Sequence, residues 1–295
     1  MALSRRALLS TAATSVVAVT LAAPSAAARS RHRTQVRQIP LQGAVNVRDL
    51  GGYRTYDGEQ VRYGRVFRAD ELGKLTDADV ATLGGLALTR VIDFRVPFEV
   101  QQNGPDRLPA GLTSTSRSVN DLGLYAQLLG AIGSKDPVKQ EQFLGGGRAE
   151  ALMRSIYRTF VSDAASRAQF AATLRDLASG GRSLYHCTSG KDRTGWASYV
   201  LLTLLGVPSR TASEDYLLSN TFRAEADRRT REGLKAAGLM QNPDLLIPVQ
   251  EVRADYLQAS LDQASRDFGG LGGYVTRGLG LDVRTLRDLR GRLVG

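Results

Sequence analysis

Ser183-Leu184-Tyr185-His186-Cys187-Thr188-Ser189-Gly190-Lys191-Asp192-Arg193-Thr194-Gly195 is the stretch on which the reading of this chain turns. A short β-type run ends at the only cysteine, a loop with a glycine at its middle follows, and an apolar helical segment, Thr194 to Leu205, opens where the arginine stands. A Cys and an Arg with five residues between them mean little alone, since 39 of the 295 residues are Lys or Arg. Strand, glycine loop and helix start together are specific. They gather several backbone N–H groups around one centre at a helix N-terminus, which is a ready anion site.

Each residue of the stretch has a physical task. Cys187 sits where helix dipole, arginine and loop amides all favour negative charge, conditions that bring a thiol from about 8.5 down to about 3.5–7.5 and make it a thiolate nucleophile. Arg193 offers a planar fork for two phosphoryl oxygens. Gly190 lets the loop close tightly, and the loop from Thr188 and Ser189 through Thr194 forms the expected phosphate cradle. The Thr194 hydroxyl can serve the thiolate or the departing phosphoryl group. Lys191 is expected as a second cation at the rim, and Asp192 as a proton donor. A second candidate acid is Asp121, which follows a strand end in Val119-Asn120-Asp121-Leu122. The expected chemistry is phosphate-monoester hydrolysis; the bland alternative is a catalytically silent phosphate-binding protein.

Outward from the loop, Val66-Phe67-Arg68, Thr89 to Arg95 and Leu112 to Val119 read as strands, and Thr76 as the N-cap of a short helix with acids in its first turn. The segment from Leu124 to Arg148 reads as less regular. Helical spacing covers Ala149 to Leu177 through Leu152, Ile156, Phe160, Phe170 and Leu174, and stops at Gly180-Gly181. From Asp215 onward the chain reads as mostly helical, and Phe222 to Leu239 fits either a helical lid or a solvated surface helix. Strands alternating with helices predict an α/β fold with a central, mostly parallel sheet flanked by helices.

Composition closes off other chemistries. One cysteine excludes an internal disulfide, and two histidines, His32 and His186, leave too few ligands for a Cys/His zinc site. His186 is covalently next to Cys187 and badly placed as its base, which argues against Ser-His-Asp or Cys-His hydrolysis. A net charge of +10 suits anionic partners, but no basic patch interleaved with aromatics points to nucleic acid. Ser4-Arg5-Arg6, a mild Ala/Thr/Ser-rich apolar run to Ala23, and Ala26-Ala27-Ala28 read as a cleavable twin-arginine export leader over residues 1–30. It is too weakly apolar for a stable membrane anchor. Residues 31–38 read as a linker and 39–295 as one catalytic domain, exported to the cell wall or beyond.

The loop resembles the H-C-x-x-G-K-D-R-T-G signature of the secreted bacterial tyrosine and lipid phosphatases of the B type. The resemblance extends to Asn46-Val47-Arg48-Asp49, Arg65 to Leu72, Val91-Ile92-Asp93-Phe94-Arg95 with Glu99, Asp215-Tyr216-Leu217-Leu218-Ser219-Asn220, Val252 to Leu257 and Gly269 to Tyr274. It implies a cysteine-phosphatase fold with helices folding over the pocket, working with neither metal nor cofactor. It also implies action on phosphotyrosine proteins, with phosphoserine, phosphothreonine and phosphoinositides as further substrates, and an aspartate near the pocket at Asp121. His186, Arg48, Asp49, Asp93 and Arg95 are expected to brace the loop. Residues 121–149 match poorly, so substrate preference does not transfer there, and Phe94 stands where the family has a smaller aliphatic residue.

Overall fold

The computed structural model describes residues 36–295; the leader at 1–30 and most of the linker lie outside the described residues. Six strands form one sheet in the order β1-β2-β3-β6-β4-β5. The central strand β6 (Ser183–His186) lies between β3 (Val66–Ala69) and β4 (Arg90–Asp93), parallel to both, and β5 (Ser114–Ser116) extends the parallel part beyond β4. At the other edge β2 (Arg48–Asp49) and β1 (Arg37–Gln38) run antiparallel. All four residues of β6 are buried, as a strand covered on both faces requires. Register pairs His186 with Ala69 on one side and Asp93 on the other, so three strands end level. The chain leaving β6 is the cysteine loop, and it emerges at the C-terminal edge where parallel α/β sheets place their sites.

Helices cover the sheet. In chain order they are α1 (Asp77–Gly85), α2 (Pro97–Asn103), α3 (Leu124–Gly133), α4 (Pro137–Leu144), α5 (Arg148–Ser162), α6 (Ala164–Ser179), α7 (Arg193–Leu204) and α8 (Ser209–Ala236). After a 3₁₀ turn at Pro243–Leu246 come α9 (Ile247–Gln250), α10 (Ala254–Phe268) and α11 (Val283–Leu293). Thr76 caps α1 in a reciprocal capping box with Asp79. The helix α7 is buried along most of its length, with Trp196 fully enclosed. Phe94 fills the core below the loop, its ring 5.5 Å from Phe170 and 5.8 Å from Tyr185. Each such fully buried aromatic contributes about 1.5–3 kcal/mol relative to exposure, so its extra bulk is absorbed by packing.

Three segments differ from the sequence expectation. The run from Leu124 to Arg148 holds two helices rather than irregular chain; Asp136 and Pro137 start α4, the Asp136 carboxylate accepting from Val138 and Lys139 N–H. The apolar stripe from Ala149 to Leu177 belongs to two helices, because Asp163 breaks α5 and caps α6 by accepting from Ser166 N–H. The strand sought over Leu112 to Val119 contracts to three exposed residues. The helix after Asp215 joins both alternatives: α8 is one 28-residue helix. Its outer face carries exposed ion pairs of Arg228 and Arg229 with Glu225. Its inner face presents Arg223, Asp227, Thr230 and Leu234 to the main cleft.

Candidate active site

The loop from Cys187 to Arg193 is held by its carbonyl oxygens. Glu71 N–H donates to the Thr188 carbonyl at 3.1 Å. Asn46 Nδ2 donates to the Ser189 and Gly190 carbonyls at 3.2 and 3.0 Å. Arg68 Nη2 donates to the Gly190 carbonyl at 2.7 Å, and Arg223 Nη1 to that of Ser189 at 3.3 Å. The N–H groups of Thr188 to Asp192 donate to no acceptor among the described residues. Buried backbone donors are rarely left unpaired. Several of them in one loop at the start of a buried helix form a nest that attracts an anion. Gly190 makes the turn possible: its φ is +62°, and a Cβ there would lie 2.3 Å from the Ala69 carbonyl oxygen.

Cys187 is buried and unbonded to any other sulfur at the floor of this turn. Arg193 is fixed by Glu99, a residue of α2 that stands in a recognisable motif but had no role assigned from the sequence. Nη1 and Nη2 donate to the two Glu99 oxygens at 2.6 Å each, and Nη1 also donates to the Phe94 carbonyl at 3.2 Å. Glu99 further accepts from Val96 N–H at 2.7 Å and from the Thr188 hydroxyl. A guanidinium has five N–H donors. Three are thus committed, and the Nε–H with the second Nη2–H remain as a parallel pair on one edge. Burial disfavours charge on both partners. The ion pair outweighs it, holding Glu99 below its ordinary carboxyl value and Arg193 above its ordinary value, with Cys187 and Asp121 adding to the latter.

Asp192 and Asp121 both line the cleft in front of this edge. Asp192 accepts from the Tyr157 hydroxyl at 2.8 Å, and Tyr157 in turn accepts from Tyr216 at 2.8 Å. Both oxygens of Asp121 accept backbone N–H groups, of Gly123 at 2.9 Å and Tyr125 at 3.0 Å, which fixes the entry to α3. Lys191 departs from the sequence expectation. Its side chain is 2% exposed and its ammonium group lies 2.7 Å from Asp192 and 3.3 Å from the Glu251 carbonyl. The Asp192 carboxylate and the Glu251 carbonyl together draw it under the loop, so the rim lacks this cation. Arg223 on α8 supplies a cation to the cleft instead, held by Asp227 at 2.7 Å and lying 3.6 Å from Asp70. The Thr194 hydroxyl is buried and bonded to no group among the described residues.

The expected braces divide. His186 donates or accepts at 2.9 Å with Asp106, and Arg95 bridges Asp106 and Asp93 at 2.8 and 2.9 Å, tying the ends of β4 and β6 together beneath the cysteine. Desolvation would lower the His186 pKa, but Asp106 and Asp93 reverse this and raise it, while Asp106 is itself lowered. Arg48 acts at one remove, donating to Asn46 at 2.5 Å and to Asp215 at 2.9 Å. Asp215 also pairs with Arg68 at 2.7 Å. Asp49 reaches no part of the loop; it accepts from Gly51 and Gly64 N–H at 2.8 and 2.6 Å and fixes the turn between β2 and β3. Asn46, Arg68, Asp70, Glu99, Asp106 and Arg223 are functional neighbours that sequence reasoning did not single out. Asn46, Arg68, Asp70 and Glu99 lay inside recognisable motifs, which was the available signal.

Across residues 39–295 the chain matches the model of the tyrosine phosphatase family. The chain belongs to the tyrosine phosphatase family. One relative, a Cupriavidus necator protein assigned as a tyrosine-protein phosphatase, is 32% identical over 92% of this chain and 93% of its own length. The triple specificity protein phosphatase PtpB of Mycobacterium tuberculosis is 31% identical over 88% of this chain and 99% of its own. A tyrosine-protein phosphatase of Nostoc commune is 27% identical over 77% and 73%. As a member of the tyrosine phosphatase family the chain is a phosphatase enzyme, and its mixed, mostly parallel sheet with flanking helices is the α/β frame expected of one.

Proposed function

We propose that this phosphatase hydrolyses phosphate monoesters by attack of the Cys187 thiolate on phosphorus, through a phosphocysteine intermediate. The observation that carries the proposal is the uncommitted edge of Arg193. Its Nε–H and Nη2–H form a fork matched to two phosphoryl oxygens, and the loop amides, without acceptors of their own, face the third. The sulfur–phosphorus bond forms as the ester oxygen leaves with the electron pair of the breaking bond, and a carboxylic acid protonates it. Asp192 fits this role better than Asp121. Protonating Asp121 would forfeit one of the two backbone bonds that start α3, whereas protonating Asp192 at Oδ2 gives up one contact with Lys191, whose ammonium group keeps Oδ1 and the Glu251 carbonyl. Asp192 stands at the cleft edge, positioned by Tyr157 and Lys191. In the second step the same group, now a carboxylate, takes a proton from the water that attacks phosphorus and releases the thiolate. The buried Thr194 hydroxyl is free to donate to that thiolate.

Phosphotyrosine proteins are the proposed principal substrates, in keeping with the tyrosine-phosphatase names of two relatives, and phosphoserine, phosphothreonine and phosphoinositides are proposed beside them. Arg223, rather than Lys191, supports multiply charged substrates. The leader-like residues 1–30 support export across the inner membrane. The test is turnover of a phosphotyrosine peptide beside a phosphoinositide headgroup panel, in reductant, with Cys187→Ser as control. Rapid quenching with labelled substrate should trap acid-stable label on the chain, absent in the Ser variant. Turnover without any trapped label, or undiminished in the Ser variant, would overturn the cysteine mechanism.

A further inference from the structure

The cleft in front of the loop is large for a phosphorylated tyrosine, about 940 Å³ with its open mouth included, and most of its wall is apolar. Seven of the ten residues of α3, LYAQLLGAIG, are apolar, yet none of the ten is buried. The reason is placement: Leu124, Leu128 and Ile132 recur at every fourth position and stay half-buried, packed against the edge of the core on one side and lining the cleft on the other. Ile156 and Phe160 of α5 and Leu234 of α8 complete this wall. The stripe starts beside the reacting centre, because Asp121, which fixes the start of α3, lines the same cleft as Thr188 and Arg193. From there it runs for about 12 Å, eight residues of helical rise. A tyrosyl side chain covers only its first turn.

We propose that the cleft takes a phosphate monoester of a long apolar alcohol, alkyl or prenyl in type, with its phosphoryl group on the loop and its chain along the α3 stripe. The proposal rests on the phosphomonoester reading above and names a substrate class for it. A peptide would bring N–H and C=O groups against this wall, where the lining side chains of α3 and α5 offer few polar partners and unpaired polar groups are costly. A hydrocarbon chain brings none. Its burial is also the one interaction that grows steadily with length while the chemistry at phosphorus stays constant.

The experiment uses 4-alkylphenyl phosphates from methyl to octyl, each below its aggregation concentration, with a phosphotyrosine peptide as reference. The para chain scarcely alters the phenol as a leaving group, so changes in kcat/KM report burial. The expected result is a rise of about fourfold per fully buried methylene, levelling off once the chain passes Ile132. Leu128→Asn and Ile132→Asn, at half-buried positions, should each flatten the slope in variants shown by a cooperative thermal transition to be folded. A flat series with an active reference, or an undiminished slope in both variants, overturns the proposal. A flat series with gains from leucines flanking phosphotyrosine would assign the wall to peptides instead. No hydrolysis of any ester, reference included, would strike the underlying phosphomonoester reading itself.

Discussion

Glu99→Gln is the substitution that most directly tests how Arg193 is held. The wild-type carboxylate is 1% exposed and accepts two 2.6 Å bonds from the guanidinium, one from Val96 N–H and one from the Thr188 hydroxyl. Glutamine keeps the shape and one acceptor oxygen, but turns an NH2 group toward N–H donors and leaves a buried cation without its counter-ion. Removing one partner of a buried pair costs about 3–5 kcal/mol; the retained oxygen places this variant near the lower end. For a domain of this size each kcal/mol lowers Tm by about 2–4 °C, so the fall should be about 6–12 °C by calorimetry. The consequences for catalysis divide. Freed of its carboxylate, Arg193 attracts an oxyanion at least as strongly, so tungstate should restore more of the Tm in the variant than in wild type. The fork, however, is no longer aimed, so kcat should fall on the order of 10²-fold. An unchanged Tm, or tungstate stabilisation that disappears while the variant still unfolds cooperatively, would refute the argument that Glu99 orients an otherwise self-sufficient cation.

Other expectations follow from the same geometry. Asp192→Asn should lower kcat about 10²–10⁴-fold with an alkyl ester and far less with an activated aryl ester. Asp121→Asn should cost stability at the start of α3 with little dependence on the leaving group, and a leaving-group series measured on both variants separates them. Gly190→Ala forces a methyl group to 2.3 Å from the Ala69 carbonyl at a φ of +62°, so at least about 2 kcal/mol of stability and most activity should be lost, read by denaturant unfolding and turnover. The His186–Asp106 pair sets a pH window. The histidine's raised pKa means its contribution is complete below its ordinary value of about 6.5 and is lost as pH rises through the higher folded value. The lowered Asp106 contributes above about 3.9 and is lost as pH falls through its folded value. Stability should therefore decline on the alkaline side in wild type, and His186→Asn should remove that decline in a Tm-versus-pH series.

The loop was legible in the sequence because its chemistry needs neighbouring residues in fixed order, and a strand, a glycine and a helix start can be read around them. The strands beside it were legible as short β-type runs, Val66-Phe67-Arg68 and Thr89 to Arg95, the second an apolar run ending in charge. What could not be read was every contact made across the fold. Glu99 stands 94 positions from Arg193 and Asn46 stands 144 from Gly190, and no local pattern tells which acid meets which base. Lys191 was misplaced for the same reason, since a carbonyl 60 residues onward decides whether its ammonium group faces out or in. The α3 helix escaped notice because it begins at Gly123 without a side-chain cap and turns its apolar stripe to a cleft, where periodicity alone cannot distinguish it from irregular chain.

These long-range contacts have a common order that explains the scattered motifs. The loop can offer its amides to a phosphate only if its carbonyls are drawn the other way, and the donors that draw them, Arg68, Arg223 and Asn46, are themselves buried or nearly so. A buried guanidinium needs a counter-ion, and the acids of the flanking motifs supply it: Asp215 for Arg68 and Arg48, Asp70 and Asp227 for Arg223. Asp70 also accepts from Val45 and Asn46 N–H, joining the donor on one side of the loop to the donor on the other. Acids far from the cysteine thus act two bonds removed from the substrate. Each holds a cation, the cation holds a carbonyl, and the carbonyl's position leaves the amide behind it free for the phosphoryl oxygens.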